Sequence, residues 1–152
     1  VKGAKTLSSQ SQLENKIRRG LLKYSPNVPL ATASAHLAQA GKQLPDPLIP
    51  TLAAIIETSG GRNFTRGQNN LYNILANQGG TAYPDYKTAI LGGDGRQGFL
   101  GTLLKSGYYN DYLKSGDLKD FLKHFTPPGE ENRNASLERQ LERYADIRRY
   151  FE

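Results

Sequence analysis

One apolar segment in the middle of the chain limits the folds available to it. Residues 48–57 read Leu-Ile-Pro-Thr-Leu-Ala-Ala-Ile-Ile-Glu, and Leu48, Leu52 and Ile55 recur at spacings of three and four residues. This periodicity is typical of an α-helix with a wide apolar face. A helix this apolar needs neighbours on most of its sides, so we expect a central buried helix that ends in Glu57.

The rest of the chain also predicts short helices, separated by glycine and proline pairs at 60–61, 79–80, 92–93 and 127–128. A length of 152 residues fits one domain. We expect a single mainly α globular domain over residues 11–152 after a flexible lead-in at 1–10, with at most a small β-hairpin near 78–83. The predicted helices cover residues 11–24, 32–40, about 46–60, a short helix or turn at 69–75, a helix starting near 86, then 97–106, 117–124 and 136–151.

Composition excludes several classes of site and partner. The chain has no cysteine and only two histidines, which rules out thiolate and all-histidine zinc sites, and we expect no metal and no cofactor. No segment is long enough to span a membrane. The sequence does not open with a charged and then apolar leader, so we expect any export signal to have been removed or not included. The net charge of +6 indicates an acidic partner, but no nucleic-acid-binding motif is present, so nucleic acid is not expected.

Glu57 is the strongest candidate for chemistry. Desolvation and the negative end of the helix dipole both disfavour an ionised carboxylate at the end of an apolar helix. A carboxyl group that stays protonated near neutral pH is the general acid that cleavage of a glycosidic bond requires. The alternative is a glutamate at a helix end that simply faces water.

Three blocks of sequence, in the right order, resemble the glucosaminidase family of bacterial peptidoglycan hydrolases. They are Ala-Ile-Ile-Glu-Thr-Ser-Gly-Gly at 54–61, Asn-Asn-Leu-Tyr-Asn-Ile at 69–74 and Tyr-Pro-Asp-Tyr-Lys-Thr-Ala-Ile at 83–90. The resemblance covers roughly residues 22–152. It implies a lysozyme-like α+β fold with an active-site cleft, and cleavage of the β-1,4-linked glycan strand, with the bond cut on the N-acetylglucosamine side.

The resemblance gives roles to several residues around that cleft. Glu57 matches the catalytic acid of the family. Asparagines can bind the hydroxyl and acetamido groups of a sugar, and tyrosines can stack on a sugar ring or orient it through the hydroxyl group. The alternatives are a loop held by its asparagines and tyrosines that pack in the core. The predicted substrate-binding residues are Asn69, Asn70, Tyr83, Tyr86 and Tyr109.

A second carboxylate is harder to find. Family members usually carry a hairpin with another acid, but residues 58–84 contain no Asp or Glu. Asp85 is the nearest later candidate, with Asp94 and Asp111 beyond it, although isolated aspartates are usually helix caps or turn residues. Substrate assistance by the acetamido group of the sugar would make one enzyme carboxyl sufficient.

The resemblance leaves the bond and the activity open. Lytic transglycosylases and muramidases use one glutamate on the same fold, and a non-catalytic wall-binding module would also keep the fold. The expected partners are peptidoglycan glycan strands and, through the positive charge, anionic wall polymers. The expected location is the cell envelope or the extracellular space of a bacterium or phage.

Overall fold

Helices dominate the part of the chain that the computed structural model describes, which is residues 9–59, 71–72, 83–93, 95–125 and 136–152. Within these ranges there is no β-strand, only an isolated bridge between Gly93 and Arg96. The prediction of a mainly α domain is confirmed. The α-helices are α1 (Ser9–Tyr24), α2 (Ser34–Gly41), α3 (Ile49–Thr58), α4 (Tyr86–Leu91), α5 (Gly98–Lys105), α6 (Asn110–Ser115), α7 (Leu118–Phe125) and α8 (Leu137–Arg148), with 3₁₀ turns at Pro29–Ala33 and Arg149–Phe151.

The predicted central helix is α3, whose residues from Ile49 to Ile55 are all buried. It begins about three residues later than the sequence indicates, because the Asp46 carboxylate accepts the Leu48 N–H at 3.0 Å and closes a turn ahead of the helix. Pro50, not Pro47, lies in the first turn of α3, where its missing N–H leaves no helical bond unmade. Ser59 ends the helix with a left-handed backbone, φ 53°.

The first helix packs against α2 and against the C-terminal 3₁₀ turn. Ile17 and Leu21 are fully buried on its inner face, as the periodicity predicts. Gly20 lies against the ring of Phe151, where any side chain would collide with that ring. The helix also includes Ser9 and Gln10, which the sequence placed in the lead-in.

Aromatic side chains fill the core between α5, α6 and α7. Phe99 stacks on Tyr72 with ring centroids 4.0 Å apart and meets Phe121 edge-on at 6.1 Å. Helix α6 is not among the predicted elements, because six residues are too few to show helical periodicity. Its only buried residue is Tyr112.

The last helix lies against α3 and α7. Of its predicted core stripe, Tyr144 and Phe151 are buried, whereas Leu137, Leu141 and Ile147 are half-buried and pack on the core. Arg148 forms an ion pair with Asp46, which ties the end of α8 to the turn before α3.

Two predicted elements fall largely outside the described residues. Of the segment 69–75, only Leu71 and Tyr72 are described, and both are buried in a turn. Of the possible hairpin near 78–83, only Tyr83 is described. No helix in the described ranges combines the length and the apolar character needed to cross a lipid bilayer.

Candidate functional site

Glu57 lies in the last turn of α3, one residue before the helix ends, and its side chain is half-buried. The next residue, Thr58, is fully buried and donates its hydroxyl to the Ala54 carbonyl at 2.8 Å. That bond holds the last turn of α3 closed below the glutamate. The carboxylate therefore sits on a rigid helix and not on a loop.

Tyr144 of α8 is the aromatic residue whose electrostatic environment is linked to Glu57. Its side chain is only 2% exposed, and its hydroxyl has no hydrogen-bond partner among the residues that the structure describes. Burial raises the pKa of Tyr144 well above its usual value, and the negative charge of Glu57 raises it further. The phenol therefore stays neutral beside the glutamate and keeps a proton that it can donate in a hydrogen bond.

Two further tyrosines surround this pair. Tyr72 donates its hydroxyl to the Pro50 carbonyl at 2.7 Å, and burial raises its pKa strongly. Tyr109 is 6% exposed, lies against Phe121, and has a pKa raised by burial. Both phenols interact electrostatically with Tyr144, and burial keeps all three neutral.

The predicted role of Tyr109 as a substrate contact is not tested, but its position in the core favours the packing alternative. Its neighbour Tyr108 is 70% exposed, with its ring 6.2 Å from that of His124. Of the aromatic row that begins at Tyr108, this residue is the one available to a ligand. The sequence gives no signal to separate the two, because these adjacent residues lie in the turn before α6, which has no periodicity that indicates an inner face.

Tyr83 and Tyr86 lie at the start of α4. Tyr83 is buried and its pKa is raised by that burial, an effect that the positive charge of Arg96 opposes. Tyr86 is half-buried, and its pKa is also raised by burial. Tyr86 is therefore the more accessible of the two, whereas the sequence blocks favoured Tyr83 for binding. Their roles as substrate contacts stay predictions.

Asp85 caps the N-terminus of α4. Its carboxylate accepts the Thr88 backbone N–H at 2.8 Å and the Thr88 hydroxyl at 2.7 Å. These two bonds, the backbone one first, lower the pKa of Asp85 below its usual value. The carboxylate is therefore ionised at neutral pH and engaged with its own helix, which is the capping role that the sequence offers as the alternative to catalysis.

Of the remaining candidate site residues, the structure describes only Asp111. Asn69, Asn70 and Asp94 lie outside the described residues. Asp111 is exposed in the first turn of α6, with a carboxylate oxygen 3.7 Å from the Lys123 ammonium group. Its surroundings are those of a solvated surface carboxylate.

A surface pocket of about 240 Å³ lies between the ends of α1 and α3 and the outer side of α8. Ile56 and Ser59 line it, whereas Glu57 does not. The pocket is therefore distinct from the Glu57 and Tyr144 pair.

The helical periodicity of residues 136–151 places Tyr144 on a core-facing stripe, and nothing in that pattern connects it with Glu57. The two residues are 87 positions apart, and only the packing of α8 on α3 brings them together. No spacing rule within one helix can find such a pair.

No protein family, no curated protein sequence and no solved structure matches this chain.

Proposed function

We propose that this chain is a glycoside hydrolase that cuts the glycan strand of peptidoglycan, with Glu57 as the general acid. The observation that carries the proposal is the surroundings of Glu57: a half-buried carboxylate on the last turn of a buried helix, beside the neutral phenol of Tyr144. The three sequence blocks that resemble the glucosaminidase family supply the substrate class.

The physical setting suits proton donation. Partial burial and the carbonyl end of α3 both oppose the charged form of a carboxylate, so they favour a group that holds its proton until the leaving oxygen takes it. After the transfer, the carboxylate carries a full charge. The Tyr144 hydroxyl, which makes no hydrogen bond within the described residues, is the proposed donor of a hydrogen bond that stabilises this charge.

A single enzyme carboxyl is sufficient if the substrate supplies the nucleophile. The acetamido oxygen of an N-acetylated sugar can attack its own anomeric carbon while Glu57 protonates the leaving oxygen. Water then opens the cyclic intermediate, and Glu57 accepts the proton of that water. Under this scheme Asp85 remains a helix cap.

The proposed substrate bond is on the N-acetylglucosamine side of the β-1,4-linked strand. A muramidase would cut the other bond, and a lytic transglycosylase would leave an anhydro sugar in place of a new reducing end. The proposed partners are the glycan strand and anionic wall polymers, and the proposed place of action is the bacterial cell envelope or its exterior.

A non-catalytic wall-binding module is the second candidate function. The engagement of Asp85 with Thr88 favours it, since a module without a second catalytic carboxylate is what loss of activity would leave.

The Glu57→Gln variant tests the proposal. Glutamine keeps the size of the side chain and its hydrogen-bonding shape but has no proton to transfer. We expect the rate of lysis of purified cell wall to fall by about 10²- to 10⁴-fold, the usual contribution of general acid catalysis. Circular dichroism should show an unchanged fold, and the variant should still sediment with the wall.

Glu142→Gln is the matched control, because Glu142 is an exposed glutamate of α8 and should leave the rate unchanged. Mass spectrometry of the released muropeptides identifies the reducing-end sugar and any anhydro product. Equal lysis by Glu57→Gln and the parent would remove Glu57 from the mechanism, and wall binding without products from the parent chain would favour the binding module.

A further inference from the structure

The outer face of α1 carries only positive charge. Its inner face, with Ile17, Gly20 and Leu21, is buried. Every charged residue that is exposed on this helix is a cation, and these residues are Lys16, Arg19 and Lys23, here called the cationic stripe. The only acid of α1, Glu14, forms an ion pair with Arg18 on another side of the helix.

In the part of the chain that the structure describes, the cationic stripe is not paired with side-chain carboxylates. Within the described ranges none of its three residues makes an ion pair with an Asp or Glu side chain, and Lys23 donates only to the Glu152 backbone carbonyl, at 3.4 Å. Elsewhere Arg148 pairs with Asp46, and Lys123 with Asp120. Among the described residues, no ion pair with an acidic side chain neutralises the positive charge of the stripe.

The spacing of the stripe fits a linear polyanion. With a rise of about 1.5 Å per residue, the three cations follow one another at about 4.5 and 6 Å along the helix axis. At about 100° per residue they lie within roughly 60° of one another around the axis. An extended chain with regularly repeated anionic groups can contact all three side chains at once.

We infer that the cationic stripe is the binding surface for a wall polymer made of repeating phosphodiester units. The inference deepens the anionic-partner part of the proposed function, but it does not depend on Glu57. Binding of this kind gains free energy mainly from the release of counterions condensed on the polymer, so it weakens steeply as salt increases. The stripe would hold the enzyme on the wall while the glutamate acts on the glycan strand.

A lipid surface fits α1 less well. A helix that lies in a membrane interface buries its own apolar face among the lipid chains. Here that face is buried against α2 and the C-terminal turn, and the large apolar side chain that α1 exposes is Leu22, at 42%. A hydrophilic polymer requires no apolar insertion and is the better match.

The test compares two variants with equal net charge. Lys16→Gln, Arg19→Gln and Lys23→Gln together lower the net charge from +6 to +3. The control combines Lys105→Gln, Lys114→Gln and Lys119→Gln, three exposed lysines on other helices that make no described ion pair. Titration calorimetry of each full chain with poly(glycerol phosphate), between about 50 and 200 mM salt, gives the affinity and its salt dependence.

We expect the stripe variant to bind roughly tenfold or more weakly at low salt. The slope of log affinity against log salt should fall by about 2, which is about 0.7 for each lost contact. The control should keep most of the affinity and the slope. Equal losses in both variants would overturn the inference, since they would assign binding to net charge alone.

Two parallel measurements separate the inference from its alternatives. Binding to vesicles rich in phosphatidylglycerol with no binding to the polymer would also overturn it and would assign the stripe to a lipid surface. Poly(glycerol phosphate) contains no glycosidic bond for Glu57 to cut, so loss of polymer binding and loss of lytic activity are distinguishable. Polymer binding by Glu57→Gln at parental affinity would support the stripe whatever the fate of the catalytic proposal.

Discussion

At the scale of single residues, the candidate site combines an acid that is proposed to give up its proton, Glu57, with a phenol that keeps its proton, Tyr144. The Glu57 carboxylate is half-buried on α3, and the Tyr144 hydroxyl is buried on α8 without a partner among the described residues. A buried hydroxyl with no hydrogen bond lowers the free energy of unfolding, so its presence calls for an explanation such as a functional role. Tyr72 differs, because its hydroxyl is satisfied by the Pro50 carbonyl.

Replacing each tyrosine by phenylalanine should separate these roles. Tyr144→Phe removes an unsatisfied hydroxyl, so we expect the free energy of unfolding to stay the same or to rise by up to about 1 kcal/mol. Tyr72→Phe removes a made bond and should lower it by about 1 kcal/mol. Urea unfolding followed by circular dichroism measures both changes.

Lytic activity should be affected more by Tyr144→Phe than by Tyr72→Phe, the reverse of the expected loss of stability. If Tyr144 stabilises the charge on Glu57 in the proposed reaction, Tyr144→Phe should slow wall lysis roughly tenfold or more, since about 1.4 kcal/mol corresponds to a factor of ten. Tyr72→Phe should lyse nearly as fast as the parent at temperatures where it is folded. A fully active Tyr144→Phe variant would restrict that hydroxyl to packing.

At the scale of elements, the position of Glu57 depends on how α3 is held at its start. Asp46 accepts the Leu48 N–H and the guanidinium of Arg148, so one carboxylate both closes the turn before α3 and joins it to the end of α8. The side chains of Arg148 and Asp46 are 33% and 21% exposed, so the ion pair is partly shielded from solvent. The same contact joins the end of α8, the helix that carries Tyr144, to the turn that precedes α3.

Breaking that ion pair should destabilise the fold. Arg148→Met keeps the length of the side chain but removes a two-pronged charged hydrogen bond, and we expect the free energy of unfolding to fall by about 1.5–3 kcal/mol. Arg149→Met is the control, because its 3.6 Å pair with Asp146 is largely exposed and should change stability by about 0.5 kcal/mol or less. Equal effects of the two changes in thermal or urea unfolding would contradict a special role for Arg148.

At the scale of the whole molecule, several tyrosine side chains lie buried in the core. Of the nine tyrosines in the sequence, five are buried in the described core, and burial raises the pKa of each, that of Tyr112 to about 12. They are Tyr72, Tyr83, Tyr109, Tyr112 and Tyr144. The hydroxyl of Tyr112 lies beside the Asp46 backbone without meeting hydrogen-bond geometry. These rings favour folding only while they keep their protons.

Stability should therefore fall sharply in alkaline solution. Below about pH 10 the tyrosines are protonated in both the folded and the unfolded state, so their full contribution to the free energy of unfolding is present. Above that pH the unfolded chain releases phenolic protons that the folded core retains, so the free energy of unfolding decreases as pH rises toward the raised folded pKa values. Urea unfolding at about pH 8 and about pH 11, with tyrosinate absorbance at 295 nm, measures the effect.

Variants assign the alkaline effect to the core. Tyr112→Phe should reduce the dependence of stability on pH in this range, whereas Tyr108→Phe, at an exposed position, should not. Stability that stays constant up to about pH 11 would show that the buried phenols ionise as easily as free ones.

The local sequence determines most of the helices. Periodicity finds α1 and α8, because each buries one face, and it finds α3 because that helix is apolar over nearly two turns. Pro50 and Ser59 set the ends of α3 within a few residues of the prediction. The sequence also identifies Glu57 as an acid at the end of a buried helix, because the apolar pattern and the acidic residue lie in one continuous segment. It misses α6, whose six residues show no period.

Tertiary structure alone decides what surrounds the glutamate. Tyr144 comes from a helix 87 positions away, and the ion pair between Arg148 and Asp46 that orients this helix has no local signal. The same packing buries Tyr109 and exposes Tyr108, and it engages Asp85 as a cap on α4. A sequence specifies which face of a helix is apolar, but which groups meet across two helices depends on the free energy of packing the whole chain, to which every segment contributes.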